Sequence, residues 1–197
     1  ASRLVVSRQP SKTLERRSYG DVIRRARQLA AALRALGVGH GDRVATLAWN
    51  HVQHLEAYVG IPLAGAVLHT LNLRLHPDDL AYIANDAGDT VLLVDETLLP
   101  LLDQFRQRVS LRHVVVMQRT GALPAGMLDY ESLVGAHAER PGDPDPEDER
   151  QAAFLSQAWS TVLGRFAEAH QPGRGGVSVA RPPRPKRRRP KIGRAHV

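Results

Sequence analysis

Apolar residues in this sequence fall into short, nearly unbroken runs separated by segments of helical period. That alternation predicts an α/β protein, a parallel sheet flanked by helices. Three observations carry the expectation. Residues 43–48, 66–71, 90–95 and 113–117 are near-continuous apolar runs of strand length, as strands covered on both faces require. The segments between them repeat apolar residues about every 3.6 positions or carry helix-start signals. The pattern then stops near Ala153, where Arg, Pro, Gly and Ala take over, so the folded body is expected over residues 1–153 and a disordered basic tail over residues 154–197.

The first helix is the clearest. Ser18 is a good N-cap and Asp21, three residues on, gives a partial capping box. Tyr19, Val22, Ile23, Ala26, Leu29, Ala30, Leu33 and Leu36 follow at helical spacing, and Gly37 suits the residue that ends a helix in left-handed conformation. Arg24, Arg25, Arg27 and Arg34 fall largely on the other faces and read as a solvated surface. Gly39-His40-Gly41-Asp42 makes a turn into the strand at residues 43–48. Residues 52–64 read as a second helix limited by Pro62, and residues 66–71 as the next strand. Pro77 fits the first helical position, with Asp78 and Asp79 favouring the dipole and Leu80, Ile83 and Ala84 supplying an apolar face. Residues 90–95 are a strand, 98–108 a helix despite Pro100, 113–117 a strand and 129–136 a short helix. The predicted order is one helix, then four strands each followed by a helix or loop.

Charge divides along the same boundary. Residues 1–150 hold 17 basic against 19 acidic side chains, whereas residues 151–197 hold 10 against 1, so the net charge of +7 belongs to the tail. A basic balance argues about partners only for the segment that carries it. The run Pro185-Lys186-Arg187-Arg188-Arg189-Pro190-Lys191 resembles a phosphate-backbone patch, without an aromatic residue to stack on a base. Nucleic acid is therefore a partner only if the tail is genuine. The rival reading is that residues 154–197 are out-of-frame or adapter-derived. Their composition matches a shifted read of GC-rich coding DNA, and Lys191 to Val197 is similar to translated adapter sequence. The chain has no Cys, which excludes disulfides and thiolate metal sites and fits a cytoplasmic setting. No apolar run reaches the ~20 residues of a membrane span, and the N-terminus reads poorly as a signal peptide. The first residue is Ala rather than Met, which fits either processing or a start within a longer protein.

Signatures of known chemistry are few. There is no G-x-x-x-x-G-K-[ST] loop, no G-x-G-x-x-G after a strand and no G-x-S-x-G elbow. His51 and His54 lie three apart on a helix within reach of Glu56, but His54 and Glu56 face different sides and no third metal ligand is evident. The acidic stretch from Asp143 to Glu149 lacks the spaced ligands of a calcium loop and reads as a solvated linker. The expectation is no catalytic, cofactor-binding or metal-binding residue within this chain.

Several short motifs, taken in order, do carry a resemblance. They are Ser18-Tyr19-Gly20, Leu36-Gly37-Val38, Gly41-Asp42-Arg43-Val44-Ala45, Ala48-Trp49-Asn50, Gly65-Ala66-Val67-Leu68-His69-Thr70-Leu71-Asn72 and Arg74-Leu75. Over residues 14–153 the chain resembles the N-terminal region of the AMP-forming acyl-CoA synthetases of the adenylate-forming superfamily, with medium- and long-chain fatty-acyl-CoA ligases the nearest look. Leu73 stands where those ligases often have Pro, and Asn72 and Arg74 match a pattern read as structural. The resemblance implies a partial N-terminal domain of that fold. It also implies a parent that joins a fatty acid to CoA through an acyl-adenylate, using ATP and Mg²⁺ and releasing AMP and pyrophosphate. In that family a Ser/Thr/Gly-rich phosphate loop ending in Pro-Lys-Gly follows the counterpart of Gln151-Ala152-Ala153. Here Phe154-Leu155-Ser156-Gln157 follows instead, so the chain alone is expected to be inactive.

Overall fold

A computed structural model describes residues 4–9 and 11–138. The acidic stretch at 143–149 and everything expected of residues 154–197 lie outside the described residues. A hairpin opens the chain: β1 (Leu4–Arg8) pairs antiparallel with β2 (Leu14–Ser18). The sequence reading did not include it. Its turn closes with the Lys12 N–H donating to the Gln9 carbonyl at 2.8 Å and with Lys12 in the left-handed region, φ 67°. No Gly or Asn marks that position.

Helix α1 (Tyr19–Ala35) starts as expected. Ser18 Oγ accepts from the Asp21 N–H and donates to the Asp21 carboxylate at 2.7 Å. Gly37, φ 84°, follows the last turn and releases the chain toward β3 (Arg43–Leu47). Then come α2 (Val52–Leu63), β4 (Val67–Thr70), α3 (Pro77–Ala87) and β5 (Val91–Asp95). Residues 98–108 are not one helix. They wind as a 3-10 turn at Glu96–Leu98, a short α4 (Leu99–Asp103) and a second 3-10 turn at Arg106–Arg108. Leu98, Leu102 and Phe105 keep helical spacing and all reach the core, so the period survives although the winding does not. Strand β6 (His113–Met117), the two-residue β7 (Leu128–Asp129) and α5 (Tyr130–Gly135) complete the body.

The five later strands form one parallel sheet in the order β4-β3-β5-β6-β7. The chain steps from β3 outward to β4, then crosses back over β3 to β5, so the direction of winding reverses between β3 and β5. Right-handed crossovers in opposite directions place their helices on opposite faces, and the core divides that way. Val44, Val91, Leu93 and Val115 pack against α1, α2 and α5. Ala45, Leu92, Val94 and Val114 pack against α3 and the wound segment around α4. Helices α1 and α2 approach so closely at Gly60 that a Cβ there would lie 2.7 Å from the Ala26 carbonyl oxygen. Among the described residues, no helix is long and apolar enough to cross a membrane.

Candidate ligand crevice at the carboxyl ends of the strands

In an open parallel sheet the loops after adjacent strands diverge where the winding reverses, leaving a crevice at their carboxyl ends. Here that point lies between β3 and β5. The loop after β3 carries Trp49, Asn50 and His51, β5 ends on Asp95, and β6 is followed by Gln118. With Arg8, Gln9 and Thr97 they line a cavity of about 340 Å³.

Its floor is tightly bonded. Asp95, buried, accepts the Trp49 N–H at 2.8 Å and lies 2.7 Å from His51 Nε2. His51 is the N-cap of α2, and its Nδ1 accepts the His54 N–H at 3.2 Å. That bond assigns the tautomer: Nδ1 is the acceptor, so Nε2 carries the hydrogen and donates to Asp95. Both ring nitrogens are committed, and His51 positions the loop rather than transferring protons. His54 reaches elsewhere, with Nδ1 3.0 Å from the Trp49 carbonyl oxygen and Nε2 3.1 Å from Thr46 Oγ1. Burial lowers its pKa and favours the neutral ring.

Behind the crevice runs a chain of polar contacts. Gln53 Oε1 accepts from the Gln118 N–H at 2.8 Å and from Gln118 Nε2 at 3.2 Å, while Gln53 Nε2 donates to Glu131 at 2.6 Å. Arg25 spans from Glu131 to Glu56, each at 2.8 Å. Glu56, 0% exposed, also receives Arg17 at 2.7 Å and the Tyr130 hydroxyl at 2.9 Å. Burial raises the Glu56 pKa against the pull of the two guanidiniums. Burial, and then the Glu56 charge, push the Tyr130 phenol well above its usual range and keep it a donor.

These contacts place each residue singled out in the sequence. The side chains of His51, His54 and Glu56 turn to different partners: Asp95, Thr46 and the arginines Arg17 and Arg25. Among the described residues, no set of three or more His, Asp or Glu side chains is arranged to hold a metal ion. Asn72 Oδ1 accepts the Arg74 N–H at 3.1 Å, a local turn that fits the structural role expected. The solvated arginine face of α1 needs correction. Arg24 is exposed beside Asp21, but Arg25 is drawn inward by the buried Glu56, and Arg34 donates to the Leu63 carbonyl at 3.0 Å. Asp95 and Gln118 went unremarked in the sequence. Their one available signal was position, since each stands at or just past the carboxyl end of a strand.

The sequence profile of a family described as "AMP-binding enzyme" matches residues 3–156. A long-chain-fatty-acid–CoA ligase of Thermus thermophilus is 48% identical over 159 residues, covering 80% of this chain and 28% of that protein. A medium-chain-fatty-acid–CoA ligase of Ectopseudomonas oleovorans is 36% identical over 166 residues, covering 82% and 30%. Among solved structures, an anthranilate CoA ligase in complex with anthranoyl-AMP superposes with a TM-score of 0.59 at 26% identity, covering 68% of this chain and 24% of that one. The chain therefore spans under a third of the length of the proteins it matches. Its fold is that of the N-terminal portion of acyl-CoA synthetases.

Proposed function

The chain belongs to the AMP-binding enzyme family, and from that membership we propose that it is the N-terminal region of an AMP-forming fatty-acid–CoA ligase. The parent would activate a fatty acid with ATP and Mg²⁺ to an acyl-adenylate and pyrophosphate, then pass the acyl group to the thiol of CoA with loss of AMP. The observation that carries this reading is the family match, with its likeness to fatty-acid–CoA ligases, running through the whole parallel-sheet body.

Within that reaction the described residues act as scaffold. They do not fit Mg²⁺-bound ATP. The buried carboxylates are already satisfied: Asp95 by His51 and the Trp49 N–H, Asp89 by His69 at 2.8 Å, and Glu56 by two arginines. The sequence also holds no Ser/Thr/Gly-rich loop ending in Pro-Lys-Gly. Adenylation chemistry is accordingly assigned to none of these side chains. What they supply is a parallel layer in which the loop after β3 is held by hydrogen bonds from the Trp49 N–H and His51 Nε2 to the buried Asp95.

The test is ATP–pyrophosphate exchange with a panel of fatty acids. The purified 197-residue chain is expected to give no exchange above background. Turnover by this chain would overturn the scaffold reading, because it would require a nucleotide site that the described residues do not provide.

A further inference from the structure

We propose that the outer face of the β1–β2 hairpin is a docking surface for an anionic lipid bilayer. The inference does not depend on the ligase reading.

The register of the ribbon sorts its side chains onto two faces. Val5 lies opposite Arg17 and Ser7 opposite Glu15, and this face turns inward. Ser7 Oγ accepts the Val52 N–H at 3.2 Å, and Arg17 reaches the buried Glu56 at 2.7 Å. Glu15, the hairpin's one carboxylate, is turned to Arg17 and Gln9. The outer face sets Leu4 opposite Ser18, Val6 opposite Arg16 and Arg8 opposite Leu14. Leu4, Val6 and Leu14 are about half exposed. Arg8, Arg16 and the turn residue Lys12 are exposed as well, and none of the three pairs with a carboxylate among the described residues. The face therefore interleaves aliphatic groups with cations and carries no carboxylate.

That composition selects the partner. The guanidiniums call for negative charge directly beside an apolar surface. An anionic bilayer offers both: its headgroups attract basic side chains, and just beneath them lies the acyl boundary into which a Leu or Val side chain can sink. Arginine suits the edge of such a contact, with its stem along the apolar side chains and its head among the headgroups. A protein partner is less well served. The cavities of about 340 and 280 Å³ at the carboxyl end of the sheet are lined by none of Leu4, Val6, Leu14 and Arg16, so neither gives this face a pocket for an anchoring side chain. A dimer built on the ribbon would crowd together two guanidiniums from each copy. Three half-exposed aliphatic side chains also supply only a fraction of the about 1,200 Å² that a stable interface buries.

The chain contains no cysteine, so Val6→Cys can carry a single environment-sensitive fluorophore. The labelled full chain is titrated with vesicles of phosphatidylcholine and phosphatidylserine in a three-to-one ratio. Its emission is expected to strengthen and shift to the blue, and vesicles of phosphatidylcholine alone should leave it unchanged. The same label at Tyr82→Cys, 71% exposed on α3 at the opposite face of the sheet, should not respond. Arg8→Gln combined with Arg16→Gln should raise the lipid concentration for half response about ten-fold, as the loss of two basic side chains at an anionic surface predicts. Arg74→Gln combined with Arg112→Gln, exposed and outside the hairpin, removes equal charge and should change it little. The basic residues beyond 153 are present in every variant, so the readout is the label and not sedimentation. Unshifted emission from position 6 with the anionic vesicles overturns the docking surface, whether or not the chain sediments with them. An equal loss in the Arg74 and Arg112 variant does the same. So does a position-6 label already shielded in micromolar chain without lipid, which would place a second copy on the face.

Discussion

Glu56 carries more of the local electrostatics than any other side chain described here. Two guanidiniums and a phenol converge on a carboxylate that is 0% exposed, joining β2, α1, α2 and α5 at one point. Removing the buried carboxylate leaves two partly buried guanidiniums without their counter-charge, and breaking a buried pair in this way costs about 3–5 kcal/mol, with partly exposed partners at the low end. Glu56→Ala is therefore expected to lower the free energy of unfolding by about that much in urea titration; a change within about 0.5 kcal/mol, the usual range of surface substitutions, would refute it. Glu96 behaves differently. Its carboxylate accepts Thr120 Oγ1 at 2.6 Å and the N–H groups of Thr120 and Gly121 at 2.7 and 2.9 Å, and the Thr120 hydroxyl leads the causes that lower its pKa. A carboxyl held lower in the folded chain than in the unfolded one stabilises above its ordinary value of 4.5 and loses that stabilisation as pH falls through the lowered value. The melting temperature of the parent chain should thus exceed that of Glu96→Gln at neutral pH, and the gap should close on acidification. A constant gap across the acid range would show that the bond does not depend on the charge.

At the scale of elements, the tightest contact is the crossing of α1 and α2. Gly60 sits where a methyl group would meet the Ala26 carbonyl oxygen at 2.7 Å and the Leu29 side chain at 3.0 Å. Backbone cannot yield as a side-chain tip can, so Gly60→Ala is expected to cost about 1–3 kcal/mol by overpacking, despite alanine's better helix propensity. Unchanged or raised stability in thermal unfolding would mean that the helices separate without loss. The sequence announced α1 by its period, with Val22, Ala26, Leu29 and Leu33 on one face. It did not announce the hairpin, whose two strands mix exposed apolar and inward charged residues, nor β7, which is too short to show any period. The crevice was legible only by half. Ala48-Trp49-Asn50 stood out in the sequence, but its shape depends on Asp95, which bonds Trp49 from 46 residues away, and on Gln118, which bonds Gln53 from 65 residues away, through pairings that no local pattern encodes. The same long reach turned Arg25 from an expected surface residue into part of a buried ion pair.

Among the described residues of the molecule, both faces of the parallel sheet are packed against helices, and three of the exposed apolar side chains lie together on the hairpin. Alternation in β1 sends Ser7 inward, buried, and leaves Leu4 and Val6 outward at 52% and 54% exposure. In the antiparallel register Arg8 lies opposite Leu14, and Leu14 is 47% exposed on the same outer face. Those three side chains form an apolar stripe on a two-stranded ribbon, the kind of surface through which separate copies associate. Association of residues 1–153 is therefore expected to run through the hairpin rather than the sheet. Val67, 52% exposed on the edge strand β4, is a second and smaller contributor. Replacing Leu4, Val6 and Leu14 together with Lys puts like charges on the stripe without entering either core. Light scattering of the 1–153 segment over a range of concentrations and temperatures should then show a higher onset of association for the triple variant, with the helical circular dichroism unchanged. If Val67→Lys raises the onset and the hairpin variant does not, association runs through the sheet edge. If neither does, it proceeds from unfolded chains, and the remedy lies in stabilising the core instead of recharging the surface.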